Sequence, residues 1–141
     1  MRGMLVAVLA AALAVGCGEE ASPDKRTAVQ LTVEQKNAVL IEMRTMLASV
    51  NGVLSAAARS DSAGIRSAAL ASGSAAAADP TLEKLLPEQW MQLAMQTHGG
   101  FDSLAAGAGP GARGRDAAVA RLGAITTNCV TCHSIYRLVA R

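Results

Sequence analysis

The sequence predicts an all-α chain, an antiparallel four-helix bundle, on three observations. Apolar residues recur at helical spacing in four successive segments, no segment alternates with period two, and the connections between the four are short. The length of 141 residues suits one domain.

The first helix starts at Thr32-Val33-Glu34-Gln35, whose Thr and Gln stand at capping-box spacing. On a helical wheel Val39, Leu40, Met43, Leu47, Val50 and Leu54 fall on one stripe, with Met43 at its centre and Met46 toward its edge. The stripe runs to about Ala57, where Ser60-Asp61-Ser62 breaks it and offers a cap for a second, shorter helix. Ile65, Ala68, Ala69 and Gly73 are the inner positions of that helix, and the Ala-rich stretch to Ala78 permits helix without showing a stripe. Asp79-Pro80 and Leu86-Pro87 each put a proline at a first helical position. The third helix runs from Pro87 to about Ala106 and buries Trp90, Leu93, Ala94, Thr97, Phe101 and Leu104. Residues 106–115, rich in Gly and holding Pro110, form a loop. The fourth helix runs from about Asp116 to Val139, with Leu122, Ile125, Thr126, Cys129, His133 and Tyr136 on one face.

Ahead of the helices lies a leader. Arg2 is a short basic region, and Met4–Val15 is an apolar run too short to span a membrane as a helix. It ends in Leu13-Ala14-Val15-Gly16-Cys17, which resembles a bacterial lipoprotein cleavage box and predicts a signal peptide over residues 1–16 with lipidation of Cys17. Residues 17–31 are polar and unpatterned and read as a tether to the domain over 32–141. The chain is therefore expected in the periplasm, held at the membrane as a lipoprotein.

Charge and composition narrow the function. The chain has 13 Lys+Arg and 11 Asp+Glu; removing the leader takes Arg2 and leaves 12 against 11, about +1. No basic stripe is present, so nucleic acid is not an expected partner. Trp90, Phe101 and Tyr136 are the whole aromatic set. A domain so poor in aromatics and so rich in Ala is short of core filling, and a large apolar cofactor would make up the deficit.

The chemistry is concentrated in Cys129-Val130-Thr131-Cys132-His133, the C-x-x-C-H pattern of covalent haem attachment. Two thiols three positions apart on one helical turn reach the two vinyl groups of one porphyrin edge, and the next residue presents an imidazole toward the iron. A thioredoxin-type dithiol would sit near a βαβ pattern, which this sequence lacks. A structural zinc site needs four ligands, and beyond the motif only Cys17 and His98 remain. A Cys129–Cys132 disulfide is the remaining alternative in an oxidising compartment. His98 flanks the third helix's stripe with Met91 and Met95 and reads as a partly exposed or locally hydrogen-bonded side chain. No Ser/His/Asp set stands out, and the glycines of 107–114 neither follow a strand nor open a Lys-Ser/Thr helix, so neither an enzyme nor a nucleotide site is expected.

Cys129, Cys132, His133, Tyr136 and Arg137 together read C-x-x-C-H-x-x-Y-R, on the last of four helices and close to the C-terminus. This arrangement resembles the class II c-type cytochromes, the cytochrome c prime and low-spin cytochrome c556-like group, over Leu31 to Arg141. The resemblance implies a bundle enclosing one haem c, bound covalently through Cys129 and Cys132, with His133 as the proximal iron ligand and a first-helix side chain over the other face. Met43 is the first choice for that distal ligand and Met46 the alternative. A thioether there gives low-spin iron with a raised potential, suited to electron transfer. Arg137, one turn after His133, is a candidate contact for a haem propionate, and Tyr136 is expected to pack on the porphyrin. The implied function is a periplasmic monohaem cytochrome passing single electrons between redox partner proteins; the alternative is a five-coordinate binder of nitric oxide or carbon monoxide. Relatives in this class often pair through their first helices, so a homodimer is left open, and the lipid anchor is the expected membrane contact.

Overall fold

The computed structural model describes residues 24–77, 82 and 84–141; the expected signal peptide, the lipidation site Cys17 and the Asp79-Pro80 pair lie outside them. The described chain is mostly helical, with four helices and one two-stranded sheet. In order these are β1 (Thr27–Leu31), α1 (Val33–Ala58), α2 (Ser62–Leu70), a 3-10 turn (Ser74–Ala76), α3 (Glu88–Ala106), α4 (Gly111–Ile135) and β2 (Tyr136–Ala140).

The helix starts follow from local chemistry. The Thr32 N–H donates to Gln35 Oε1 at 2.9 Å and the Gln35 N–H donates to Thr32 Oγ1 at 3.2 Å, so both halves of the capping box form. Asp61 caps α2 by accepting from the Gly64 N–H at 2.8 Å. Pro87 stands at the N-cap of α3, so the helix begins at Glu88, one residue after the expected start.

Three expectations are corrected. The first concerns the inner face of α1, which carries Val39, Ser49, Val53, Ala56 and Ala57, while Leu47 and Leu54 are exposed. Small side chains win these positions because α2 comes very close: a Cβ on Gly52 would stand 2.9 Å from the Ala68 Cβ. A Leu at this contact would not fit, so the bulky residues turn outward.

The second concerns α4, which begins at Gly111 rather than near Asp116 and ends at Ile135 rather than Val139. Gly111 has φ +71°, open to glycine without strain. A side chain on Gly114 would collide with the Gly109 carbonyl, so the glycines allow a tight entry into the helix instead of a long loop.

The third concerns strands, which the sequence does not announce. β1 and β2 pair in parallel, Thr27 opposite Tyr136 and Leu31 opposite Ala140, so the end of the expected tether is part of the fold. Val29 and Leu31 point inward from β1, as Tyr136 does from β2. An isolated two-stranded sheet is marginal in water, and this one is held by the apolar cluster beneath it.

The core has two parts. One gathers Val53, Ala56 and Ala57 of α1, Ile65 and Ala69 of α2, Phe101 and Leu104 of α3, and Leu122 and Ile125 of α4. The other lies under the sheet: Val29, Leu31, Val39, Leu82, Trp90 and Tyr136. Of the inner positions expected in the other three helices, Ile65, Ala69, Trp90, Thr97, Phe101, Leu104, Leu122 and Ile125 are buried, whereas Ala68, Leu93, Ala94, Thr126 and Cys129 are only half-buried and His133 is exposed.

Candidate functional site

Cys129, Cys132 and His133 stand on the last two turns of α4. At 100° per residue they share an arc of about 100° on the helix surface, so one planar group can meet all three. The two thiols are half-buried and free of a disulfide, and His133 is exposed. The Cys129 Sγ–H points to the Ile125 carbonyl at 3.8 Å.

Burial holds both thiols above their ordinary range, Cys132 up to about 11, with neighbouring Cys129 adding to the rise. A dithiol oxidoreductase needs the opposite, a thiol depressed toward neutrality. Among the described residues no group of three or more His, Cys, Asp or Glu stands in ligand-like proximity. Two free, half-buried thiols one helical turn apart, followed directly by an imidazole, are the set a covalently bound haem would use. The residues that could hold a haem are therefore Cys129 and Cys132 covalently and His133 through its imidazole.

The two methionines of α1 part company. Met43 packs against the cluster under the sheet, the same cluster that Cys132 and Ile135 pack against. Met46 packs against the other cluster and lines a groove of about 350 Å³ with Glu42, Thr45, Ser72 and His98. Tyr136, expected on the C-terminal helix, is buried on β2 instead. Its ring meets Trp90 at 5.5 Å between centroids and 53° between planes, and its hydroxyl donates to Gln89 Oε1 at 3.3 Å. Strand formation at Tyr136–Ala140 thus gives this aromatic a partner in α3.

At the end of α4 the segment before β1 closes over the motif. The Arg26 Nη1 donates to the His133 carbonyl at 3.3 Å, supplying one of the last-turn carbonyls with a partner. Asp24 holds that guanidinium with contacts of 2.8 and 3.0 Å. Arg137 lies beside the same carboxylate, its Nε 3.8 Å from Asp24 Oδ2. That Nε is buried and has no hydrogen-bond partner among the described residues, a donor suited to an acidic group brought to this end of α4. Asp24 and Arg26 were not singled out in the sequence, because an isolated Asp-x-Arg in a polar stretch carries no local signal.

His98 corrects another expectation. It is buried, 5% exposed, and its bonds are long-range: Nδ1 is 2.9 Å from the Ser72 carbonyl and Nε2 is 2.8 Å from Glu42 Oε1. A carbonyl and an ionised carboxylate both accept, so the ring that satisfies both is the imidazolium. The Glu42 hydrogen bond raises the His98 pKa against the opposing effect of burial. Both ring nitrogens are engaged, which leaves His98 no nitrogen for a metal in this arrangement. Glu42 was missed; its charge amid the inward-facing positions Val39, Met43 and Met46 was the available signal.

Among known proteins, no family model matches the chain, and no curated protein or solved structure is significantly similar to it.

Proposed function

We propose that the chain is a periplasmic monohaem c-type cytochrome, a one-electron carrier rather than an enzyme, whose helices form an antiparallel four-helix bundle around the haem. The observation that carries this reading is the turn of α4 on which two free, half-buried thiols, Cys129 and Cys132, precede His133. When bound, the haem supplies the redox-active iron.

The remaining work falls to the chain itself. Cys129 and Cys132 fix the porphyrin to α4, so that its position is set by the helix rather than by affinity. His133 would supply an imidazole ligand to the iron, and Arg26 on its carbonyl steadies the end of the helix that presents it. Met43 is the preferred distal thioether because it packs against the same cluster as Cys132, whereas Met46 packs against the other. Trp90, Tyr136, Val39 and Leu31 form the dry cluster against which Met43 and Cys132 pack. Arg137, whose buried Nε makes no hydrogen bond among the described residues and lies 3.8 Å from Asp24, is the candidate contact for a propionate. Export as a lipoprotein rests on the apolar run Met4–Val15 and on Cys17.

The test is haem retention. Protein made in cells with a cytochrome c maturation system is expected to keep haem through a denaturing gel, and Cys129→Ala with Cys132→Ala to lose it. Colourless parent protein under those conditions would reject the reading.

A further inference from the structure

The outward side of α1 carries an apolar ridge that is largely exposed, with only Leu40 half-buried. Val33, Leu40, Leu47 and Leu54 stand seven residues apart; Val33 is 53%, Leu47 68% and Leu54 46% exposed. Repeats of seven keep side chains on one side of a helix, drifting by only about 20° per step. Val33–Ala58 is also long and apolar enough, by length and composition, to cross a membrane, yet only 17% of its most apolar window is buried against the rest of the chain. The charges interleaved on the ridge are Lys36 and Arg44, both basic. The acidic residues of α1 lie elsewhere: Glu42 turns inward to His98, and Glu34 falls about 120° around the wheel from Leu40.

We propose that this ridge is a docking surface for an anionic lipid layer, with Val33, Leu47 and Leu54 entering the headgroup region and Lys36 and Arg44 meeting lipid phosphates. The sign of the charges selects this occupant over a second copy of the chain. Arg44 lies near the middle of α1, so a two-fold pairing of two α1 ridges sets Arg44 close to its own copy, with no carboxylate on the ridge to offset it. Anionic headgroups neutralise both basic residues, each worth about fivefold in partitioning at such a surface. Apolar side chains with interspersed Lys and Arg are the composition of helices that lie in a membrane interface. The ridge adds a second membrane contact to the acyl anchor expected at Cys17, and it stands whether or not haem is bound.

Hydroxyl-radical footprinting of the full chain reads this directly. The protein is mixed with vesicles of phosphatidylcholine alone or of an equal mixture with phosphatidylglycerol. Labelling of Val33, Leu47 and Leu54 is expected to fall roughly threefold or more with the anionic vesicles and little with the neutral ones. Val119 and Val130 of α4, 44% and 69% exposed, serve as controls whose labelling stays unchanged. Lys36→Glu with Arg44→Glu is expected to abolish the protection while leaving the helical circular dichroism intact. Equal labelling in both lipids, or no protection in either, overturns the proposal. So does protection that grows with protein concentration in the absence of lipid, which would assign the ridge to a second copy.

Discussion

Met43 and Met46 are three residues apart on one helix, yet they serve different parts of the core, and this makes them separable by mutation. In haem-loaded protein, Met43→Ala is expected to convert a low-spin spectrum to a high-spin one and to open the iron to carbon monoxide. Met46→Ala is expected to leave the spectrum unchanged and to cost roughly 2–4 kcal/mol of stability as a partly buried truncation. The opposite assignment of spectra would move the distal ligand to Met46. Glu42 and His98 give a second prediction at this scale. The His98 pKa is raised in the fold by the Glu42 carboxylate, so the pair's stabilisation is fully present below the ordinary value of 6.5 and is lost as pH rises through the raised value. Urea midpoints of the parent and of Glu42→Gln should therefore differ more at pH 5.5 than at pH 8.5, by roughly 1–3 kcal/mol at the lower pH. A gap that widens with rising pH would contradict the imidazolium assignment.

Among the elements, the starts of α1, α2 and α3 were legible because each is written in a few adjacent residues: the Thr32–Gln35 box, Asp61, and Pro87. Thr32→Ala removes an acceptor from the first turn of α1 and is expected to cost about 1 kcal/mol, read as a lower denaturation midpoint with an unchanged slope. An unaltered midpoint would mean that β1 alone fixes the entry to α1. The strands were illegible for the converse reason. Thr27–Leu31 and Tyr136–Ala140 have five residues each and find one another across more than a hundred residues, so their pairing leaves no local pattern. The alternation Val29, Leu31 and Tyr136, Leu138 is present, but it is too short to stand against the helical reading of its surroundings. The inward side of α1 was misjudged because the wheel weighs hydrophobicity, whereas the close contact of Gly52 with Ala68 selects for small size.

For the whole molecule, the proposed site is read from sequence spacing, and its setting comes from the fold. Cys129, Cys132 and His133 declare their chemistry by spacing, and the fold adds what spacing cannot: free and half-buried thiols held protonated, Met43 on the cluster shared with Cys132, and the Asp24–Arg26 contact on the His133 carbonyl. Asp24 and Arg26 reach this end because β1 runs beside β2, so the stretch read as a tether closes the site instead. Together these features support one proposal, a single covalent haem on α4 with iron held by His133 and Met43. The absorption spectrum of the matured protein, oxidised and reduced, tests that claim most directly. It predicts sharp low-spin bands on reduction and a weak sulfur-to-iron charge-transfer band on oxidation. A broad high-spin spectrum that sharpens with carbon monoxide would contradict the Met43 ligand and favour a gas-binding protein, and the absence of covalent haem would contradict the account itself.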